Sequence, residues 1–303
     1  MLKKLLSVSI MCCMLTMTVS CSNKGADASS EVQPKTKVTV SFNAVKQLVE
    51  AIAKDKVEVN VMIPDGTEPH DYEPKAKDLE KLSNANLFVY SGLGMEAWVD
   101  KALSAAENKK LEVVEAAKGF EPIKNTDADE IEEHGQYDPH VWLSLKGAEN
   151  EAKNIKDGLV KVDSKNKTFY EENYKDFLDK AEALFKDYSA KFSSINNKNF
   201  VTGHAAFGYL CRDFQLTQNS VEDVFAEGEP SAKNLKDLVD YCKENNIKTI
   251  FVEDMVSAKI SDTLAKEVGA RTQKIYTLES EEDNKDYIQS MKDNLENIYL
   301  SLK

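Results

Sequence analysis

Apolar residues recur along this chain with two alternating periods. Lys37 to Phe42 alternates polar and apolar side chains, the period of a strand with one buried face. Asn43 to Lys54 then places Val45, Leu48, Val49 and Ile52 at helical spacing. Val57 to Ile63 reads as a second strand and stops at the turn signal Pro64-Asp65-Gly66. A helix is expected over Lys75 to Ser83, a strand over Leu87 to Tyr90, a helix over Glu96 to Ala106 and a strand over Leu111 to Val114. This order of strand and helix predicts a mostly parallel sheet flanked by helices, an α/β architecture.

Residues 121–137 break the pattern. They are acidic, carry His134 and show no apolar period, so a mobile surface loop is expected. A helix follows from Lys146 to Val162. From Asn166 to Ser194 the residues Phe169, Tyr174, Phe177, Leu178, Ala181, Leu184, Phe185, Tyr188 and Phe192 recur at steps of three and four. No glycine or proline occurs from 159 to 202. A helix of ~30 residues would be ~45 Å long, a stiff strut. The second half repeats the alternation. Strands are expected over Asn199–Thr202, Leu216–Val221, Thr249–Glu253 and Gln273–Thr277. Helices are expected over Ala205–Phe214, Ser231–Asn245 with Ser231 as N-cap, Ser257–Val268 and Asn284–Leu302. The expected organisation is two α/β lobes, 37–162 and 198–303, each with a mostly parallel sheet, joined by one long rigid helix in 163–197.

The first 20 residues read as a targeting segment rather than as part of the fold. Lys3 and Lys4 precede the largely apolar run Leu5 to Val19, which is too short and wrongly flanked for a spanning helix. Thr18-Val19-Ser20-Cys21 resembles the lipobox of bacterial lipoproteins, although Thr18 stands where leucine is usual. On that resemblance Cys21 is lipidated, residues 1–20 are a signal peptide, and the polar residues 21–36 are a flexible tether. The protein would then be extracytoplasmic and anchored to the bacterial cell membrane. Loss of residues 1–20 takes the net charge from −13 to about −15, and no basic patch stands out, which argues against a nucleic-acid partner. Of the cysteines left in the mature chain, Cys211 and Cys242 could form a disulfide in an oxidising compartment, or remain half-buried thiols on helices.

Candidate chemistry lies in the histidines, of which there are four. His70, His140 and His204 each follow a proline or glycine, in Glu68-Pro69-His70-Asp71, Asp138-Pro139-His140-Val141 and Thr202-Gly203-His204-Ala205. Such residues punctuate the ends of strands and the starts of helices. Glu279 follows a further strand-like run. In parallel sheets, ligands bind beyond the carboxyl ends of the strands. Three imidazoles and a carboxylate gathered there would suit a tetrahedral zinc ion, and imidazole selects zinc over calcium or magnesium. Taken singly, each histidine is better explained as a surface or capping residue; it is the loop placement of all three, with almost no histidine elsewhere, that points to a site. Zinc affinity is expected to fall below about pH 6.5, the ordinary histidine value.

The flanking residues carry more. Pro64-Asp65-Gly66-Thr67-Glu68-Pro69-His70-Asp71-Tyr72-Glu73-Pro74 resembles the first ligand segment of the metal-binding solute-binding proteins of ABC transporters, the zinc and manganese uptake family. Asp138-Pro139-His140-Val141-Trp142-Leu143-Ser144 is similar to its second ligand motif, and Gly203-His204-Ala205-Ala206-Phe207-Gly208-Tyr209 to its third. Gly228-Glu229-Pro230-Ser231 is similar to a segment that follows. The resemblance runs in order from about residue 37 to 303. It implies two α/β lobes joined by a rigid helix, with metal held between them and passed to a membrane permease. A histidine at the third position, His204, implies zinc rather than manganese. The family usually has aspartate as fourth ligand, whereas this chain has Leu278-Glu279-Ser280. Water, Glu281 or Asp283 are alternatives to Glu279 there. Other residues have blander readings: Trp142 and Phe207 read as pocket walls or core, and Tyr72 and Glu73 as the start of the helix after the His70 loop, where Glu73 could also orient a ligand. Glu227 and Glu229 would be solvated or near the rim of the cleft.

Rival readings are a manganese receptor of the same class, an exported zinc hydrolase and a surface adhesin. The sequence lacks the His-Glu-x-x-His pattern of zinc proteases and any obvious nucleophile motif, so no enzymatic activity is expected. A monomer is expected.

Overall fold

The computed structural model describes residues 34–125, 131, 135–225, 231–254 and 258–303. Cys21, His134, Glu227 and Glu229 lie outside the described residues. The first half holds β1 (Thr36–Val40), α1 (Asn43–Ala53), β2 (Val57–Val61), α2 (Ala76–Ser83), β3 (Leu87–Tyr90), α3 (Val99–Ala106), β4 (Glu112–Glu115) and α4 (Leu145–Val162). Its strands form a parallel sheet in the order β2-β1-β3-β4, with Val38 opposite Val59 and Leu87. The long helix α5 (Lys167–Ser193) follows. The second half holds β5 (Asn199–Thr202), α6 (Gly208–Phe214), β6 (Thr217–Ser220), α7 (Ala232–Glu244), β7 (Thr249–Val252), α8 (Ala258–Val268), β8 (Arg271–Lys274) and α9 (Tyr287–Ser301). Its sheet repeats the first, parallel in the order β6-β5-β7-β8. No helix among the described residues is long and apolar enough to cross a membrane.

The 27-residue α5 buries Tyr170, Phe177, Ala181, Tyr188 and Phe192, a stripe along one side. It packs on α1 and α4 of the first half and on α6 and α9 of the second. One continuous apolar cluster therefore runs from Val38 and Phe88 through Phe177 and Phe192 to Phe207 and Leu295. A second cluster, including Leu238, Cys242, Ile250 and Leu264, seals α7 and α8 onto the second sheet. Cys211 on α6 and Cys242 on α7 are buried free thiols, not a disulfide.

Several boundaries differ from the sequence expectation, each because a side chain captures backbone groups. The helix expected from Ala205 starts at Gly208, because Thr202 Oγ1 and Gln218 Nε2 donate to the His204 carbonyl (2.7 and 2.9 Å). The strand expected over Gln273–Thr277 is Arg271–Lys274. Its ladder ends where Asn294 binds both the N–H and the carbonyl of Tyr276 (2.8 and 2.7 Å). The helix expected from Glu96 begins at Val99, since the Glu96 carboxylate accepts from the Ser91 and Gly92 amides. The last helix begins at Tyr287 rather than Asn284, where Asp286 and Gln289 form a capping box. At the described ends of the acidic segment 121–137, Lys124 bridges Tyr137 and the Asn125 amide donates to the Gln136 carbonyl; most of the residues between lie outside the described ones.

Candidate metal centre

His70 lies in the loop after β2, His140 after β4, His204 after β5 and Glu279 after β8. All four thus sit beyond the carboxyl ends of parallel strands, where strand geometry leaves loops free to converge. One ligand-type atom from each of these residues lies within 4.8 Å of the others. Glu279 Oε1 is 3.6 Å from His140 Nε2 and 4.0 Å from both His70 Nε2 and His204 Nε2. The Nε2 atoms of His140 and His204 are 3.5 Å apart. Ligands about 2.0–2.1 Å from a tetrahedral zinc ion stand about 3.3–3.4 Å from one another. The two closest pairs are within a few tenths of an ångström of that spacing, and the 4.0 Å pairs would have to shorten by about 0.6–0.7 Å to close the shell on a metal.

Each candidate ligand is aimed by its own local structure. The Asp138 carboxylate oxygen Oδ1 takes both the His140 backbone N–H (2.9 Å) and ring Nδ1 (3.0 Å). A carboxylate can only accept, so Nδ1 carries a proton toward Asp138, and Nε2 is the nitrogen whose lone pair faces the cluster once the ring gives up its second proton. The Tyr209 hydroxyl donates to the Asp138 carbonyl (2.6 Å) and holds that turn. Beside His204 the buried Glu253 places Oε1 3.8 Å from Nδ1 and accepts the backbone N–H at 3.3 Å. Gly203 makes this possible: a Cβ there would lie 1.9 Å from Glu253 Oε2. The Thr277 hydroxyl donates to Glu279 Oε2 (2.8 Å), whereas Oε1 has no hydrogen-bond donor and faces the three rings. Glu68 accepts the His70 backbone N–H. Phe225 stands edge-on to the His70 ring at 5.3 Å, and Trp142 lies 5.2 Å from the His140 ring. Next to His70 a groove of about 510 Å3, lined also by Tyr72 and Trp98, leads toward solvent.

Burial and mutual charge set the protonation of the cluster. Burial works against a charged His140, but the Asp138 hydrogen bond and Glu279 outweigh it and raise this ring to about 9. Burial dominates at His204 and pushes it down to about 4. At Glu279 burial is outweighed by the His140 contact and the neighbouring imidazoles, which hold the carboxyl at about 2. Burial, helped by the Glu279 charge, lifts Glu68 to about 7 and Glu253 to about 8. The centre thus combines an ionised carboxylate with imidazole nitrogens, a donor set suited to a borderline-soft divalent ion.

The four residues singled out in the sequence are those brought together. The alternatives to Glu279 point elsewhere: Glu281 pairs with Lys46 at 2.8 Å, and Asp283 accepts from Tyr276 and faces Lys274. Glu73 is exposed. Trp142 and Phe207 are buried. Asp138 and Glu253 escaped the sequence reading. Their signal was position, an acid two residues before a ligand and an acid directly after the apolar run Thr249–Val252.

Residues 38–300 match the model of the zinc-uptake complex component A, periplasmic, called ZnuA. The chain belongs to the ZnuA family. It is 36% identical over 319 residues to the high-affinity zinc uptake system protein ZnuA of Bacillus subtilis (strain 168), covering 100% of this chain and 99% of that one. Among solved structures, the laminin binding protein of Streptococcus agalactiae, described as bifunctional with adhesin and metal transporting activity, superposes with a TM-score of 0.81 at 34% identity. That match covers 89% of this chain and 100% of the other. The Zn(II)-bound ZnuA-like domain of Streptococcus pneumoniae AdcA gives 0.75 at 33% identity, over 88% and 99%. Family membership agrees with the two-sheet fold and with a receptor for solute uptake.

Proposed function

We propose that this ZnuA-family protein is an extracytoplasmic receptor that captures Zn2+ through Nε2 of His70, His140 and His204 and Oε1 of Glu279. It would then deliver the ion to the permease of an ABC transporter. The convergence of four buried donor atoms from four separate strand ends carries this reading. Three imidazoles and one carboxylate satisfy a tetrahedral ion completely, whereas a hydrolytic zinc keeps a position open for water. Glu279 takes that position, which favours storage and release over catalysis. A set with a single carboxylate also favours zinc over manganese, which prefers oxygen ligands. The relatives' names support the same metal. In the same reading residues 1–20 are removed, Cys21 carries a lipid, residues 21–36 tether a monomeric body spanning 37–162, 163–197 and 198–303, and no nucleic acid is bound.

Calorimetry on alanine variants tests the ligand set. His70→Ala, His140→Ala and His204→Ala should each weaken zinc binding by more than the roughly tenfold to hundredfold typical of outer-shell changes. Wild-type affinity in all three would end the proposal. Metal analysis of the purified protein, with anomalous scattering at the zinc edge, would distinguish zinc from manganese.

A further inference from the structure

We infer that Asn43 is a positioning residue for Glu279, a role that rests on Glu279 being the fourth zinc ligand. Asn43 is the first residue of α1, directly beyond β1, and is 2% exposed. Its side-chain amide reaches across 235 and 237 residues of sequence to donate to the Leu278 carbonyl (3.1 Å) and the Ser280 carbonyl (2.7 Å). These are the carbonyls on either side of Glu279. Two acceptors facing one atom identify that atom as the amide nitrogen, since the amide oxygen cannot donate.

The loop needs such a clamp. Leu278 has φ of +64°, a left-handed conformation that a bulky L-residue rarely adopts without outside support. Thr277 sets the tilt of the carboxylate, but it belongs to the same segment and cannot fix where that segment stands. Other ties run to the first half as well. The Gly66 amide donates to Ser280 Oγ (2.9 Å), the Glu281 amide to Asp65 (2.9 Å), and Gln47 to the Lys285 carbonyl (3.2 Å). The Gly66 and Gln47 bonds are only part-buried and the Glu281 bond is exposed, whereas both Asn43 bonds are buried and bracket the ligand itself. Glu279 is therefore encoded in the second half but registered to α1 of the first. It shares a frame with His70 and His140, and His204 approaches from the other sheet.

The test is a double-mutant cycle in zinc affinity, with cobalt(II) absorption as a second readout. Asn43→Ala should cut affinity about tenfold to hundredfold, as outer-shell changes do, and its cobalt spectrum should shift toward that of Glu279→Ala. In the Glu279→Ala background the same change should have no further effect, because contacting residues acting through one another are not additive. Wild-type affinity in Asn43→Ala, or a full additive loss in the double variant, would overturn the role. Wild-type affinity in Glu279→Ala would instead remove the ligand assignment beneath it. If Asn43→Ala does not fold, Asn43→Asp keeps the shape and sets an oxygen against the two carbonyls, and the same outcomes decide.

Discussion

His140 holds a proton that zinc must displace. His140 sits between Asp138 and Glu279, two acids that raise its ring to about 9, while Glu279 at about 2 stays ionised and His204 at about 4 is neutral. A metal binds only the deprotonated imidazole. Below about pH 9 a proton must leave His140 for zinc to enter, so apparent affinity should fall about tenfold per pH unit as pH drops from 9 toward neutrality. This onset lies above the value near 6.5 that an ordinary histidine implies. The same raised value has the opposite consequence for the metal-free fold. The charged ring stabilises it fully below about 6.5, and that contribution is lost as pH rises through 9. Calorimetry at pH 7.5 in buffers of different ionisation enthalpy should show proton release in the wild type and one proton fewer in His140→Ala. No buffer dependence in the wild type would contradict it.

At the scale of elements, α5 decides whether the two halves behave as one. Phe192 is buried where α5 meets α6 and α9, 5.3 Å from the Phe214 ring and 6.0 Å from Tyr188 and Tyr299. Phe192→Ala should cost about 3–5 kcal/mol, the usual range for removing a buried aromatic. Because the stripe on α5 belongs to a cluster shared by both halves, calorimetry of the variant should show one transition moved to lower temperature. A separate early transition for one half would show that the helix merely links them. The α5 pattern was readable from its spacing of aromatic residues. Tyr170 was not, because its burial depends on the hydrogen bond to Asp163 (2.6 Å), a partner outside the helix.

For the whole molecule, the shared core and the ties from the 278–285 loop to α1 oppose any large hinge. Trp142 Nε1 donates to the Thr277 carbonyl (2.7 Å) and the Tyr287 hydroxyl to the Trp142 carbonyl (2.6 Å), so the second half is also fastened beside the centre. Closure by rigid rotation would break these buried bonds together, each of which is costly to leave unmade. Zinc entry should then proceed by local movement around the His70 loop. X-ray scattering should give the same radius of gyration with and without zinc. A contraction on binding, as in hinged receptors, would refute this.

The order of elements and the three candidate histidines could be read from the sequence for a physical reason. Strand and helix periods are local, and so are the proline and glycine that turn the chain after β2, β4 and β5 to present His70, His140 and His204. Family likeness in the flanking residues then joined those turns into one centre. What the tertiary structure alone decided is non-local. Glu279 rather than Glu281 or Asp283 faces the rings, in a loop whose flanking carbonyls are held by Asn43, more than two hundred residues earlier, while Glu281 and Asp283 pair elsewhere. Asp138 and Glu253 gained their roles only when strand ends converged, and the shift at His140 arises from charges that folding buries side by side. Periodicity records which face of an element is buried, but not which distant polar group will meet it there.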